Sequence, residues 1–215
     1  MTDRLADGAE TLGMAMAEIA KGDTRKAAEL VRERYPFVPP VPRQGISIVD
    51  RTRVFLRDGF VDRYGGVKLF FPPVLELISL EIPEAFPSHG SGKASETHVA
   101  HWELYPSVDH LVPLARGGAH RMHNWVTTSM SRNQQKSNLT LEDMGWELLD
   151  PGSLEEWDGG LAWFFEYMTG RGAELLSTDN RSGEWPSNSW FRQWHNSARR
   201  AKDAPPAPAV SQGHL

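Results

Sequence analysis

Four side chains in one stretch carry the chemistry of this chain. Asp109 and His110 are adjacent, Asn124 follows fifteen positions after the aspartate, and Asn133 follows nine positions later. Carboxylate and amide oxygens are hard ligands that suit Mg2+ or Mn2+. A site with only two such protein ligands, here Asp109 and Asn133, fits phosphate chemistry, because water and substrate oxygens complete the cation's shell. A histidine beside it can take a proton from an attacking water at neutral pH, the role open to His110. Asn124 stands between them, where an amide can orient His110 or the loop backbone. His120 and His123 flank the run and compete for the ligand role or face solvent. His98 and His101, three apart, suggest a second metal site for which no third ligand is evident.

These groups need elements that bring them together. The segment 108–138 reads VDHLVPLARGGAHRMHNWVTTSMSRNQQKSN. VDHLVPL alternates and is rich in strand formers, ARGG is a turn, and AHRMH is the expected returning strand. Thr127 or Thr128 is expected to cap a helix running through SMSRNQQK. The unit is therefore strand, turn, strand, helix, with Pro113 at an edge or bulge. Neighbours on a strand point to opposite faces, so Asp109 and His110 share a site only if the strand ends or bends there. Around this unit the spacing predicts helices over 3–34 with a break at Gly22-Asp23, and a buried helix over VLELISLEI behind Pro72-Pro73. Thr140 with Asp143 reads as a helix start, and ISIVDRTRVFLRD (46–58) as a strand or a short helix.

The run DH-x-x-P, a Gly-Gly turn, an Asn, then a helix bearing Asn, Lys and Asn resembles the ββα-metal motif of the HNH endonuclease superfamily. The spacings match the variant whose third motif residue is Asn, as in the HNH nuclease domain of RNA-guided CRISPR effectors. The resemblance implies that Asp109 and Asn133 bind the metal, that His110 is the general base and that Asn124 is the orienting asparagine. It places Lys136 and Asn138 near substrate phosphates. Upstream, RDGFVDRYGG (57–66) resembles the segment that opens many zinc-stapled members. Asp62 and Gly65 stand where two zinc cysteines would be, and Ser129 and Arg132 stand where the other two would be. No structural zinc is expected in a chain without cysteine, and the catalytic set is intact. The resemblance covers about 57–138.

Composition bounds the rest. The 215 residues are 40% hydrophobic and 24% charged, as in ordinary globular protein. No apolar run has a membrane-spanning length, and the N-terminus lacks a secretory pattern, so a cytoplasmic protein with no membrane partner is expected. The net charge of −5 argues against a nucleic-acid binder, yet residues 101–138 hold four Lys/Arg against two acids. Arg116 and Arg121 are loop cations, one of which is expected to touch phosphate, and Arg116 is taken with Lys136 and Asn138 as a nucleic-acid contact. The expected fold is α+β, a ββα-metal core in a largely helical shell. Its parts are a helical segment and Pro-rich linker (1–45), a nuclease core (46–145), a Trp-rich extension packed on the core (146–200) and a disordered tail (201–215). The tryptophans there form a satellite core or stack bases. The function expected is metal-dependent hydrolysis of DNA phosphodiesters. DNA is preferred to RNA on the resemblance alone. The alternatives kept open are a site-specific homodimeric endonuclease, a nuclease within a larger defence complex, and a catalytically silent DNA- or partner-binding module.

Overall fold

The computed structural model describes residues 2–37, 45–177 and 185–210, with side chains from residue 8 onward. The protein combines helices with one two-stranded antiparallel sheet. Helices α1 (Thr2–Ala20) and α2 (Thr24–Arg34) pack against each other. They part at Gly22 (φ +84°) and restart where the Asp23 carboxylate accepts the Lys26 N–H. The segment with a double reading, 46–58, is helix α3 (Ile48–Arg57), started by the Ser47 hydroxyl on the Asp50 N–H. Thr52, Val54 and Phe55 on it are buried, two of them neighbours in sequence, which the alternation of a half-exposed strand would not allow.

Helix α4 (Pro72–Glu81) begins on two prolines, whose missing N–H groups cost nothing in a first turn. Helices α8 (Leu161–Thr169) and α9 (Asn188–Asp203) close over α3 and α4. The shared core contains Phe55, Phe60, Phe71, Leu77, Phe164, Phe191 and Trp194. Phe71 meets Phe164 and Trp194 edge-on, at ring-centroid distances of 5.2 and 5.4 Å. Trp157, Trp190 and Trp194 belong to this main core, whereas Trp163 and Trp185 are each 42% exposed. No helix among the described residues is long and apolar enough to cross a membrane.

The chemistry-bearing segment lies between short helix α5 (Ala100–Leu104) and α7 (Leu141–Met144). Strand β1 (Pro106–His110) pairs with β2 (Trp125–Ser129), Asp109 opposite Val126 and His110 opposite Trp125. Helix α6 (Met130–Lys136) follows directly. The returning strand is thus WVTTS, and AHRMH lies in the connection instead, because Pro113 ends the ladder and starts a 3-10 turn over Leu114–Arg116. The cap of α6 is Ser129, whose hydroxyl accepts the Arg132 N–H; Thr127 and Thr128 are buried in β2. Thr140 and Asp143 form the reciprocal capping box of α7.

The tail corrects another expectation where it is described. Arg53 and Arg57 donate to the Pro205 and Pro208 carbonyls at 3.2 and 3.1 Å, and Val210 packs on the cluster around Tyr64, Leu111 and Val126. Two guanidiniums and one apolar anchor fix a Pro/Ala-rich segment whose composition alone gives no reason for order. Residues 211–215 lie outside the described residues.

Candidate active site

Strand β1 ends at His110, which resolves the problem of two neighbours sharing one site. Beyond that residue the chain leaves the ladder, and Asp109 and His110 both line one cleft of about 640 Å³, together with Asn133 from the middle of α6 and Asn138 just after it. Asp109 is buried at 6% exposure. Its Oδ2 accepts the Tyr64 hydroxyl at 2.8 Å and faces the Lys136 ammonium at 2.8 Å. Burial, then the neighbouring carboxylate, push the Tyr64 phenol far above its usual range, so it stays a hydrogen-bond donor to Asp109.

Lys136 is where the structure departs most from the expectation of a phosphate contact. The side chain is fully buried, its ammonium donates to the His110 carbonyl at 2.8 Å and pairs with Asp109, and it lies 5.8 Å from the Tyr64 ring centre. The geometry of a short helix packed on β1 turns this position inward, and a helix-end lysine at that register braces the site from behind. Sequence spacing could not separate an inward lysine from one facing solvent. Arg116 also lies away from the cleft lining, with its guanidinium 3.7 Å from the Asp143 carboxylate.

Asn133 presents its amide nitrogen to the Ser107 hydroxyl at 2.6 Å and to the Val108 carbonyl at 3.4 Å. A carbonyl only accepts, so this orients the Asn133 Nδ2 inward and leaves Oδ1 as the side's remaining ligand atom. Asp109 Oδ1 and Asn133 Oδ1 are therefore the two oxygens suited to a hard cation. That donor set fits Mg2+ or Mn2+, which keep several waters, better than Zn2+. No cluster of three His, Asp or Glu ligands occurs among the described residues, so neither the 98/101 pair nor His123 forms part of such a cluster. His101 instead is buried, with Nε2 3.0 Å from the Ser79 hydroxyl.

Asn124 does its work on the loop. Its Oδ1 accepts the Val112 N–H, and its Nδ2 donates to the Val112 and Ala119 carbonyls, each at 2.9 Å. The amide's three bonds close the connection between the strands and fix where the chain leaves His110. Gly118 permits that closure: a Cβ there would lie 1.8 Å from the Val112 oxygen. His110 itself has Nε2 2.9 Å from His120 Nδ1 and 3.1 Å from the Trp125 indole nitrogen. His120 lines the cleft and is a neighbour that spacing alone left among the solvent-facing candidates.

The supports upstream are carboxylates. Asp58 is fully buried and accepts both Arg57 Nε and Nη2 at 2.9 Å, Arg63 Nη1 at 2.8 Å and the Thr127 N–H at 2.7 Å. Arg57 reaches on to the Met122 and Trp125 carbonyls, tying α3 to the last turn of the connection and to the start of β2. Such a completely bonded buried carboxylate avoids the desolvation cost of an unpaired one.

The four positions that stand for zinc cysteines also meet. Asp62, fully buried, accepts the Tyr64 and Ser129 N–H groups and the Thr128 hydroxyl at 2.9–3.1 Å, and its Oδ2 lies 3.4 Å from Arg132 Nε. Gly65 makes room for the guanidinium: a Cβ on it would be 2.4 Å from Arg132 Nε. Arg132 in turn lies 5.3 Å from the Trp146 ring centre. An ion pair and two hydrogen bonds join the 62–65 turn to the end of β2 and the start of α6.

Comparison with known proteins gave no match to any family model, to any curated protein or to any solved structure.

Proposed function

We propose that this chain is a metal-dependent endonuclease of the HNH type that hydrolyses DNA phosphodiesters. The observation that carries the reading is the convergence of Asp109, His110 and Asn133 on one cleft, with Asn124 holding the loop that leaves it. Asp109 and Asn133 would hold a divalent cation through Oδ1, and that cation would supply positive charge to the phosphate. Tyr64 and Lys136 hold the Asp109 carboxylate through Oδ2, and Asp109 lines the cleft.

His110 is the proton acceptor. Its Nε2 accepts the Trp125 indole N–H at 3.1 Å and lies 2.9 Å from His120 Nδ1, contacts that hold the ring at the cleft.

One observation favours a second reading. An ammonium already neutralises Asp109, which weakens its pull on a cation. On that ground the chain is a silent DNA-binding module that kept the fold. Supercoiled-plasmid cleavage with Mg2+, Mn2+ or EDTA, beside His110→Ala, separates the two. Metal-dependent nicking lost in the variant is the nuclease outcome. Cleavage absent under every metal, with DNA binding unaffected by EDTA, favours the silent module. Unchanged cleavage by His110→Ala removes His110 as base.

A further inference from the structure

The candidate residues come from β1 and α6, but α3 lines the same cleft through Arg51. Arg51 and Asp109 are the charged residues of that lining, alongside the imidazoles of His110 and His120. Lys136, buried behind Asp109 at 2.8 Å, meets the aspartate's charge. The formal charge left over on the cleft wall is therefore that of Arg51, in a chain whose net charge is −5. Arg51 is exposed, and among the described residues no carboxylate lies within ion-pair distance of it. By contrast, its neighbours Arg53 and Arg57 on the same helix are each committed to a carboxylate and to tail carbonyls.

The end of α6 is shaped toward the same space. Ser137 holds φ 48° and ψ −122°, a conformation rare for a residue with a Cβ, and with Asn138 it lines the cleft. Polar side chains there and a planar guanidinium on α3 make a lining suited to a phosphodiester, whose non-bridging oxygens match the fork of donors on arginine.

We infer that Arg51 is the backbone-phosphate anchor of this cleft, gripping the non-bridging oxygens of a DNA phosphate and so setting the path of the strand between α3 and the end of α6. This rests on reading the cleft as a DNA site, and it deepens that reading by naming the residue the strand meets. Arg51 acts as a positioning residue: it holds the backbone and takes no proton.

The test is binding of the full chain to a short fluorescent DNA duplex in EDTA, followed by anisotropy across a salt series. Arg51→Ala is expected to weaken binding roughly 5- to 20-fold at low salt. It should also flatten the slope of log affinity against log salt by about 1. Arg51→Lys keeps the slope and recovers part of the affinity, since the charge remains and the fork is lost. Arg171→Ala, which removes an exposed cation paired with Glu81, leaves both unchanged. Arg51 is exposed, so the variants fold, as their circular dichroism should show. Equal affinity and slope for Arg51→Ala and wild type overturn the inference alone. Failure of the wild type to bind duplex DNA overturns it together with the DNA reading. An Arg51 effect on binding without metal-dependent cleavage upholds it and removes the cleavage reading.

Discussion

Replacing Lys136 by methionine distinguishes a lysine that braces Asp109 from one that reaches phosphate. Methionine fills nearly the same volume, so the cavity term is small and the change is mainly electrostatic. The ammonium is fully buried, with Asp109 Oδ2 and the His110 carbonyl each 2.8 Å away. Removing one partner of a buried ion pair costs about 3–5 kcal/mol, because the other charge stays behind without compensation. Tyr64 still donates to Asp109 Oδ2, which holds the cost to the lower part of that range, while the orphaned His110 carbonyl adds about 1 kcal/mol. For a chain of this length a loss of that size lowers the melting temperature by roughly 6–20 °C. Urea unfolding of the two proteins gives the free energy, and salt-dependent DNA binding gives the phosphate count. A loss below about 1 kcal/mol, with the binding slope flattened by about 1, would place the ammonium on phosphate and refute the brace.

Three further outcomes follow from the same network. Asp62→Ala leaves two N–H groups, a hydroxyl and the Arg132 guanidinium without their acceptor, and is expected to destabilise by about 3–5 kcal/mol in urea. A loss below about 1 kcal/mol would refute this carboxylate as the joint between the turn and α6. Asn124→Ala should cost about 2–3 kcal/mol and speed amide exchange at Val112, because the loop loses its three bonds. Loss of cleavage at unchanged stability would instead make Asn124 a chemical participant. Burial, then the nearby His98 charge, lowers the His101 pKa from its usual 6.5. The unfolded chain therefore binds this proton more readily, and stability falls as the pH drops below about 6.5, until the folded-state pKa is passed. His101→Asn should flatten that part of the stability profile in urea midpoints at pH values from neutral to mildly acid, and an unaltered profile would refute the assignment.

Local chemistry wrote several features directly into the chain. The break at Gly22-Asp23, the Pro72-Pro73 start of α4 and the Thr140–Asp143 box depend on residues within one turn of each other, so the sequence alone determines them. The intervals among Asp109, His110, Asn124 and Asn133 likewise marked a strand–loop–strand–helix unit, since period and punctuation are local properties. Tertiary contact decided the rest. Strand formers continue past His110, and only the register with β2 and the turn at Pro113 set where β1 ends, which is what lets Asp109 and His110 share a cleft. Lys136 reads as a phosphate contact until α6 packs on β1 and turns it onto Asp109. Arg51 carries no motif at all, and its place is set by α3 lying against β1 across a separation of more than fifty residues. Long-range placement of a charge depends on how helices pack, and packing is a property of whole surfaces that no local pattern encodes.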